Sequence, residues 1–119
     1  MASRPLLECS FLIPVRRDRN LSDGKLHRAT TWLWLEDELV VFGGATRAPN
    51  LYPGWYLDPD TGEQVRDRSR KYFVAVPPAR VEELRGLLRR ACGKFRQKYI
   101  YLSVAGRVEF VEGGSDEPD

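Results

Sequence analysis

Histidine occurs once in these 119 residues, cysteine twice and methionine once. That scarcity excludes much. Cys9 and Cys92 are too few and too far apart for a zinc site or a disulfide scaffold, and they read as buried free thiols. His27 stands beside Arg28, near an expected helix start, with no marked nucleophile to activate, and reads as a solvated surface side chain. No glycine loop with its lysine is present to cradle a phosphate, and Ser10, Ser69 and Ser103 lack a nucleophile-elbow context. Glu36, Asp37 and Glu38 are consecutive, so on a helix they diverge and do not form an acid–base pair. Asp58 and Asp60 flank a turn without the later bidentate Glu of a calcium loop. No catalytic residue, metal or cofactor is therefore implied. No apolar run is long enough to cross a bilayer. Glu8 interrupts the apolar stretch behind Arg4, which does not suit a signal peptide. A cytoplasmic protein with no membrane partner is expected.

What the chain does hold is enough for a core: 42% hydrophobic residues and thirteen aromatics, in a length suited to one domain. The domain is expected over 1–112, with 113–119 as an acidic disordered tail. Charge is uneven. Residues 1–65 carry seven Lys/Arg against nine Asp/Glu, 66–98 eleven against three, and 99–119 one against five. Fifteen of the nineteen basic residues are Arg, which fits phosphate recognition and fits a GC-rich coding sequence equally well.

Cys9 to Val15 is apolar and β-rich, hence a strand. Ser22 and Asp23 read as a helix start, with Leu21 stapled to Leu26. The run Thr30 to Leu35 has strand propensity, yet Trp32, Leu35, Leu39 and Phe42 form one helical stripe before Gly43-Gly44, so a helix is expected over roughly 22–42. Trp34 lies about 200° from Trp32 around that helix, at an edge or facing a partner. Ala45 to Arg47 and Trp55 to Leu57 are pieces of a second strand, broken by the loop from Pro49 to Pro53. A turn follows at Asp58 to Gly62, then a third strand over Lys71 to Val76. A second helix opens at Pro77-Pro78, with Val81, Leu84, Leu87, Leu88 and Ala91 as its stripe, and Gly93 closes it. Lys98 to Val111 is a long alternating strand in which Gly106 marks a bulge or tight turn. This order predicts an α+β fold, the ferredoxin-like βαββαβ unit: a four-stranded antiparallel sheet with two helices on one face.

Phe42-Gly-Gly-Ala-Thr46, Gly54-Trp55, Gly62 and Phe95-Arg-Gln97 resemble a pattern of small bacterial and phage proteins forming a domain-of-unknown-function group, F-G-G-x-T, G-x-W and F-x-Q in the same element order. The resemblance covers roughly residues 9–111. It implies the same fold and no agreed activity. The group's usual acid leading into the third strand meets a mostly basic Arg66-Asp-Arg-Ser-Arg70 in this chain.

Three functional readings follow. In the first, a sheet face free of helices, together with the Asn50 to Tyr56 loop (Asn50, Tyr52, Trp55, Tyr56), binds a second copy or another protein, and a homodimer is expected. In the second, Tyr72, Tyr99 and Tyr101 share that face, with Arg66, Arg68 and Arg70 at its rim, and bind a single nucleic-acid strand. In the third, a small enzyme has a pocket near the Gly43 to Trp55 loop, bounded by Thr46, Trp55 and Arg66.

Overall fold

The computed structural model describes residues 4–113. Most of the acidic tail expected over 113–119 lies outside the described residues. Strand β1 spans Leu7–Pro14, helix α1 Ala29–Leu39 with a 3-10 turn over Val40–Phe42, β2 Thr46–Arg47, β3 Tyr52–Leu57 and β4 Gln64–Val76. A 3-10 turn at Pro78–Arg80 leads into α2, Val81–Lys94, and β5 (Tyr99–Val104) and β6 (Arg107–Glu112) close the chain. All six strands pair antiparallel, in the order β2-β4-β1-β5-β6, and β3 pairs β4 beyond β2. No described helix is long and apolar enough to cross a membrane.

The expected four strands are thus corrected to six, for two local reasons. The last strand folds into a hairpin because Ala105 and Gly106 both take positive φ, 50° and 84°, the turn that matches strand twist. The two pieces of the second strand are separate strands, and both pair the same neighbour. That neighbour, β4, begins at Gln64 rather than Lys71. Its first part pairs only β3, from Leu57↔Gln64 to Gly54↔Asp67, and projects past β1 as a two-stranded arm.

Helix α1 also starts later than the capping pattern at Ser22 implies. Asp18 and Asp23 instead accept hydrogen bonds from the backbone N–H groups of Asn20 and Lys25. Such side-chain turns compete with helix, and Gly24 at φ 71° breaks the segment. The stripe itself holds: Trp32, Leu35, Leu39 and Phe42 are all buried. Gly43 ends the 3-10 turn at φ 102°, its N–H donating to the Val40 carbonyl. Trp34 sits half-buried at the core edge, its ring 5.5 Å from Lys94 Nζ. In α2 the stripe is buried as expected, but Gly93 lies inside the helix and Phe95 caps it.

Alternation along the strands sorts the sheet into two faces. Cys9, Phe11 and Ile13 of β1, Tyr72, Val74 and Val76 of β4, and Ile100 and Leu102 of β5 are buried in the same core as the stripes of both helices. Full burial of each large apolar side chain contributes about 1.5–3 kcal/mol. Ser10, Leu12, Lys71, Phe73, Tyr99 and Tyr101 occupy the alternate positions. Cys9 and Cys92 are both buried in this core, and burial raises the Cys92 thiol to about 12. Phe95 is fully buried, and Gln97 donates from Nε2 to the carbonyls of Arg16 (2.8 Å) and Phe95 (3.0 Å), pinning the loop before α1.

Candidate functional site

The β3–β4 arm presents different chemistry on its two sides. One side continues the helix-free face of the sheet. Register places Tyr52 opposite Ser69, Gly54 opposite Asp67, and Tyr56 opposite Val65. Asp67 therefore lies across from a residue with no side chain, between two tyrosines two positions either way along β3. A Cβ on Gly54 would stand 3.0 Å from Asp67 Oδ1. The Asp67 carboxyl is only partly exposed, and burial pushes its pKa above the usual carboxylate range. Among the described residues no cation or hydrogen-bond donor partners it. Tyr56 is raised too, by its own burial first and then by the negative charge of Asp67. The nearest cation along this face of β4, Lys71, is occupied with rings: its Nζ lies 5.2 Å from the Tyr52 centroid and 5.1 Å from that of Phe73.

The arm is held in place from its turn. Asp58 is buried and accepts from the N–H groups of Asp60 and Thr61, from Asn20 Nδ2 at 3.2 Å and from Lys98 Nζ at 3.2 Å. The backbone N–H of Asp60, foremost, with Lys98 behind it, holds the Asp58 carboxyl below its usual range. Lys98 also reaches Asp60 at 3.0 Å. These contacts tie the arm to the loop before α1 and to the start of β5.

The sequence-predicted residues fall on both sides. Tyr52 and Tyr56 line the Asp67 side. Trp55, Arg66 and Arg68 take the alternate positions and point the other way. Arg70 follows them onto the helix side, its guanidinium carbon 4.1 Å from the Trp32 ring centroid and a nitrogen 3.8 Å from Glu36. Tyr72 is a correction. It does not share a face with Tyr99 and Tyr101, because Phe11 is its cross-strand partner and Lys71 is that of Leu12, which pairs Tyr101. Tyr72 is 2% exposed, its hydroxyl donates to Glu36 Oε2 at 2.7 Å, and burial raises its pKa to about 12. Tyr99 and Tyr101 do lie together, both edge-on to Phe110, with centroids 6.1 and 6.0 Å away. The basic rim and the tyrosine platform of the nucleic-acid reading are thus on opposite faces.

Thr46 lines a shallow depression of about 500 Å³ with Glu8, Gly44, Ala45 and Phe73. Trp55 and Arg66 are not in its wall, so the expected grouping of Thr46, Trp55 and Arg66 does not form. Asn50 is exposed in the loop between β2 and β3. His27 is corrected as well. It is half-buried, with Nε2 2.8 Å from the Pro14 carbonyl and its ring edge-on to Trp32 and Phe95. Its Nδ1 is buried without a partner, and burial lowers its pKa.

Sequence reasoning missed Gly54 and Asp67 as a pair. Asp67 is the one acid within a run of arginines, and its alternate position already sets it apart from Arg66 and Arg68. A half-buried carboxyl flanked by phenol rings over a glycine can receive a cation that offers no hydrogen-bond donor, or accept a proton more readily than an exposed carboxylate does.

No family model and no curated protein matches the sequence. Among solved structures, a phage SAM lyase in complex with S-methyl-5'-thioadenosine matches with a TM-score of 0.71 at 10% identity, covering 98% of this chain and 97% of that one. A phage SAM lyase in the apo state matches with a TM-score of 0.64 at 10% identity, covering 98% and 99%. At this identity the likeness shows a shared fold from end to end.

Proposed function

We propose that this chain is a small enzyme that cleaves S-adenosylmethionine, with the sulfonium held against Asp67 between Tyr52 and Tyr56. The observation that carries the reading is the Asp67 carboxyl: partly desolvated, without a cation, and opened to a ligand by Gly54. A sulfonium has a full positive charge and no N–H, so a carboxylate and aromatic faces are the groups that recognise it. The end-to-end fold likeness to a lyase of that substrate supports the same reading.

S-Methyl-5'-thioadenosine keeps the sulphur, its methyl group and the adenosine. Release of that product means that the bond from sulphur to the amino-acid chain breaks and its electron pair stays on sulphur, which becomes a neutral thioether. The carbon left short of electrons is satisfied from within the substrate. Either its own carboxylate closes a ring ester, or the neighbouring C–H loses its proton to Asp67, whose raised pKa suits a base. The two small products are isomers and are told apart by NMR. Incubation with S-adenosylmethionine should yield S-methyl-5'-thioadenosine, and Asp67→Asn should lower the rate by about 10²–10⁴. Absence of the thioether above the buffer control would remove the reading.

The same reading places the chain with the F-G-G-x-T, G-x-W and F-x-Q proteins, Phe42, Gly43, Phe95 and Gln97 holding the fold and Gly54 opening the site. It takes the succession of the β2/β3 edge, β4, β1 and β5 as the ferredoxin-like order, with β6 added. A cytoplasmic location follows from the substrate.

One observation favours self-association as a second reading. On the helix-free face Phe110 is 65% and Val108 54% exposed, beside Tyr99 and Tyr101. Apolar surface of that kind is covered by pairing with another copy or another protein.

A further inference from the structure

We propose that the side of the β3–β4 arm opposite Asp67 binds a single nucleic-acid strand, with Trp55 as the stacking platform and Arg66 and Arg68 on the phosphates. The proposal is independent of the proposed reaction and uses other residues. Trp55 is 63% exposed, and its direct cross-strand partner is Arg66. Pro53 is opposite Arg68, so Arg68 faces only a proline ring across the ladder, while Arg66 lies beside the indole.

Cation bookkeeping separates these two arginines from their neighbours. Arg47 and Arg70 are both drawn to Glu36, at 3.3 and 3.8 Å. Arg80, Arg85, Arg89 and Arg90 pair with Glu38, Glu82, Glu83 and Glu109. Arg66 and Arg68 have no acidic partner among the described residues, and both are exposed. Asp67, the acid between them in sequence, points to the other side of the ribbon. Alternate strand positions set the backbones of Arg66 and Arg68 about 7 Å apart on one side of β4, with Trp55 directly across from Arg66. Phosphates bound by that pair leave their bases next to a free aromatic face, which is the arrangement that holds single strands without reading sequence.

A protein partner fits this surface less well. The arm is two strands wide and six residue pairs long, roughly 10 Å by 20 Å, far below the ~800 Å² a side of a stable protein interface. A strand of nucleic acid needs only a track.

The test is fluorescence anisotropy of a labelled oligothymidylate titrated with the full chain at low and at raised salt. Binding should weaken with salt, with a slope of log affinity on log salt of about −1.4 for two phosphates on a single strand. Arg66→Glu with Arg68→Glu should reduce affinity by at least about tenfold and flatten that slope. Trp55→Ala should reduce it roughly five- to hundredfold. Circular dichroism checks that the variants fold. No binding at low salt overturns the proposal. So does equal competition by polyglutamate or by duplex DNA, because the indole would then play no part. Loss of binding in Tyr99→Ala but not in Trp55→Ala would move the surface to the other face and overturn it as well.

Discussion

Gly54 and Asp67 face each other across β3 and β4 so closely that the first added carbon on Gly54 would lie 3.0 Å from the Asp67 carboxylate. Gly54 has no positive φ, so its backbone accepts a side chain and only the site is disturbed. Gly54→Val should therefore abolish turnover of S-adenosylmethionine while the protein keeps a cooperative thermal transition. Activity comparable to the parent would show that the space above Asp67 is not used.

Asp67 should also trade stability for function. Its pKa is raised in the folded state by burial, so the folded chain holds that proton more tightly than the unfolded chain. The stabilising contribution is complete below the unfolded value, near 3.9, and is lost as pH rises through the folded value. At neutral pH the ionised carboxylate is a cost. Asp67→Asn should then raise Tm at pH 7 and leave it nearly unchanged at pH 3. A lower Tm at pH 7 would mean that the carboxylate is held by a partner after all.

His27 works with the opposite sign. Burial lowers its folded pKa, and Arg17 and Arg70 add to this. The unfolded chain binds the proton more readily, so the contribution is present above about 6.5 and is lost as pH falls through the lowered folded value. Protonation would also place an N–H at Nδ1, which has no acceptor. Urea unfolding at pH 7 and pH 5 should show a stability loss in the parent that is much smaller in His27→Phe. Equal losses in both would assign acid sensitivity elsewhere.

Tyr72 anchors Glu36 from the core side, and Arg47 and Arg70 reach the same carboxylate from the surface. Tyr72→Phe keeps the ring and removes only the hydroxyl. It should cost about 1 kcal/mol, less than a fully buried bond to a charged group because Glu36 is partly solvated. Denaturant titration measures it, and an unchanged midpoint would show that the bond contributes nothing net.

The open sheet face predicts association. Sedimentation should find a dimer at micromolar concentration, and Tyr101→Glu, which puts a charge beside Phe110, should shift it to monomer. A parent that sediments as a monomer at every concentration tried would dispose of this pairing.

Much of this fold is readable from periodicity. The Trp32–Leu35–Leu39–Phe42 stripe, the α2 stripe and the Gly43 stop are local patterns, and the chain folds as they indicate. The later start of α1 was hidden because Ser22-Asp23 suits a helix cap, and Asp23 suits equally well the side-chain turn it forms with the Lys25 N–H. The length of β4 was obscured by its arginines, which have little strand propensity; Arg66 and Arg68 are tolerated because their side chains are exposed. The face assignment of Tyr72 depended on register. Tyr72, Tyr99 and Tyr101 all look alike in sequence, and only the pairing of Phe11 with Tyr72 and of Leu12 with Tyr101 separates them. The site was least legible, because Asp67 gains its character from Gly54, thirteen positions away, and from desolvation that no local pattern records.

The most direct measurement is chromatographic and mass-spectrometric analysis of S-adenosylmethionine incubated with the purified chain and, in parallel, with Asp67→Asn. The account predicts S-methyl-5'-thioadenosine from the parent and a loss of about 10²–10⁴ in the variant. Intact S-adenosylmethionine in both, from folded protein, would contradict it, as would equal turnover by the two.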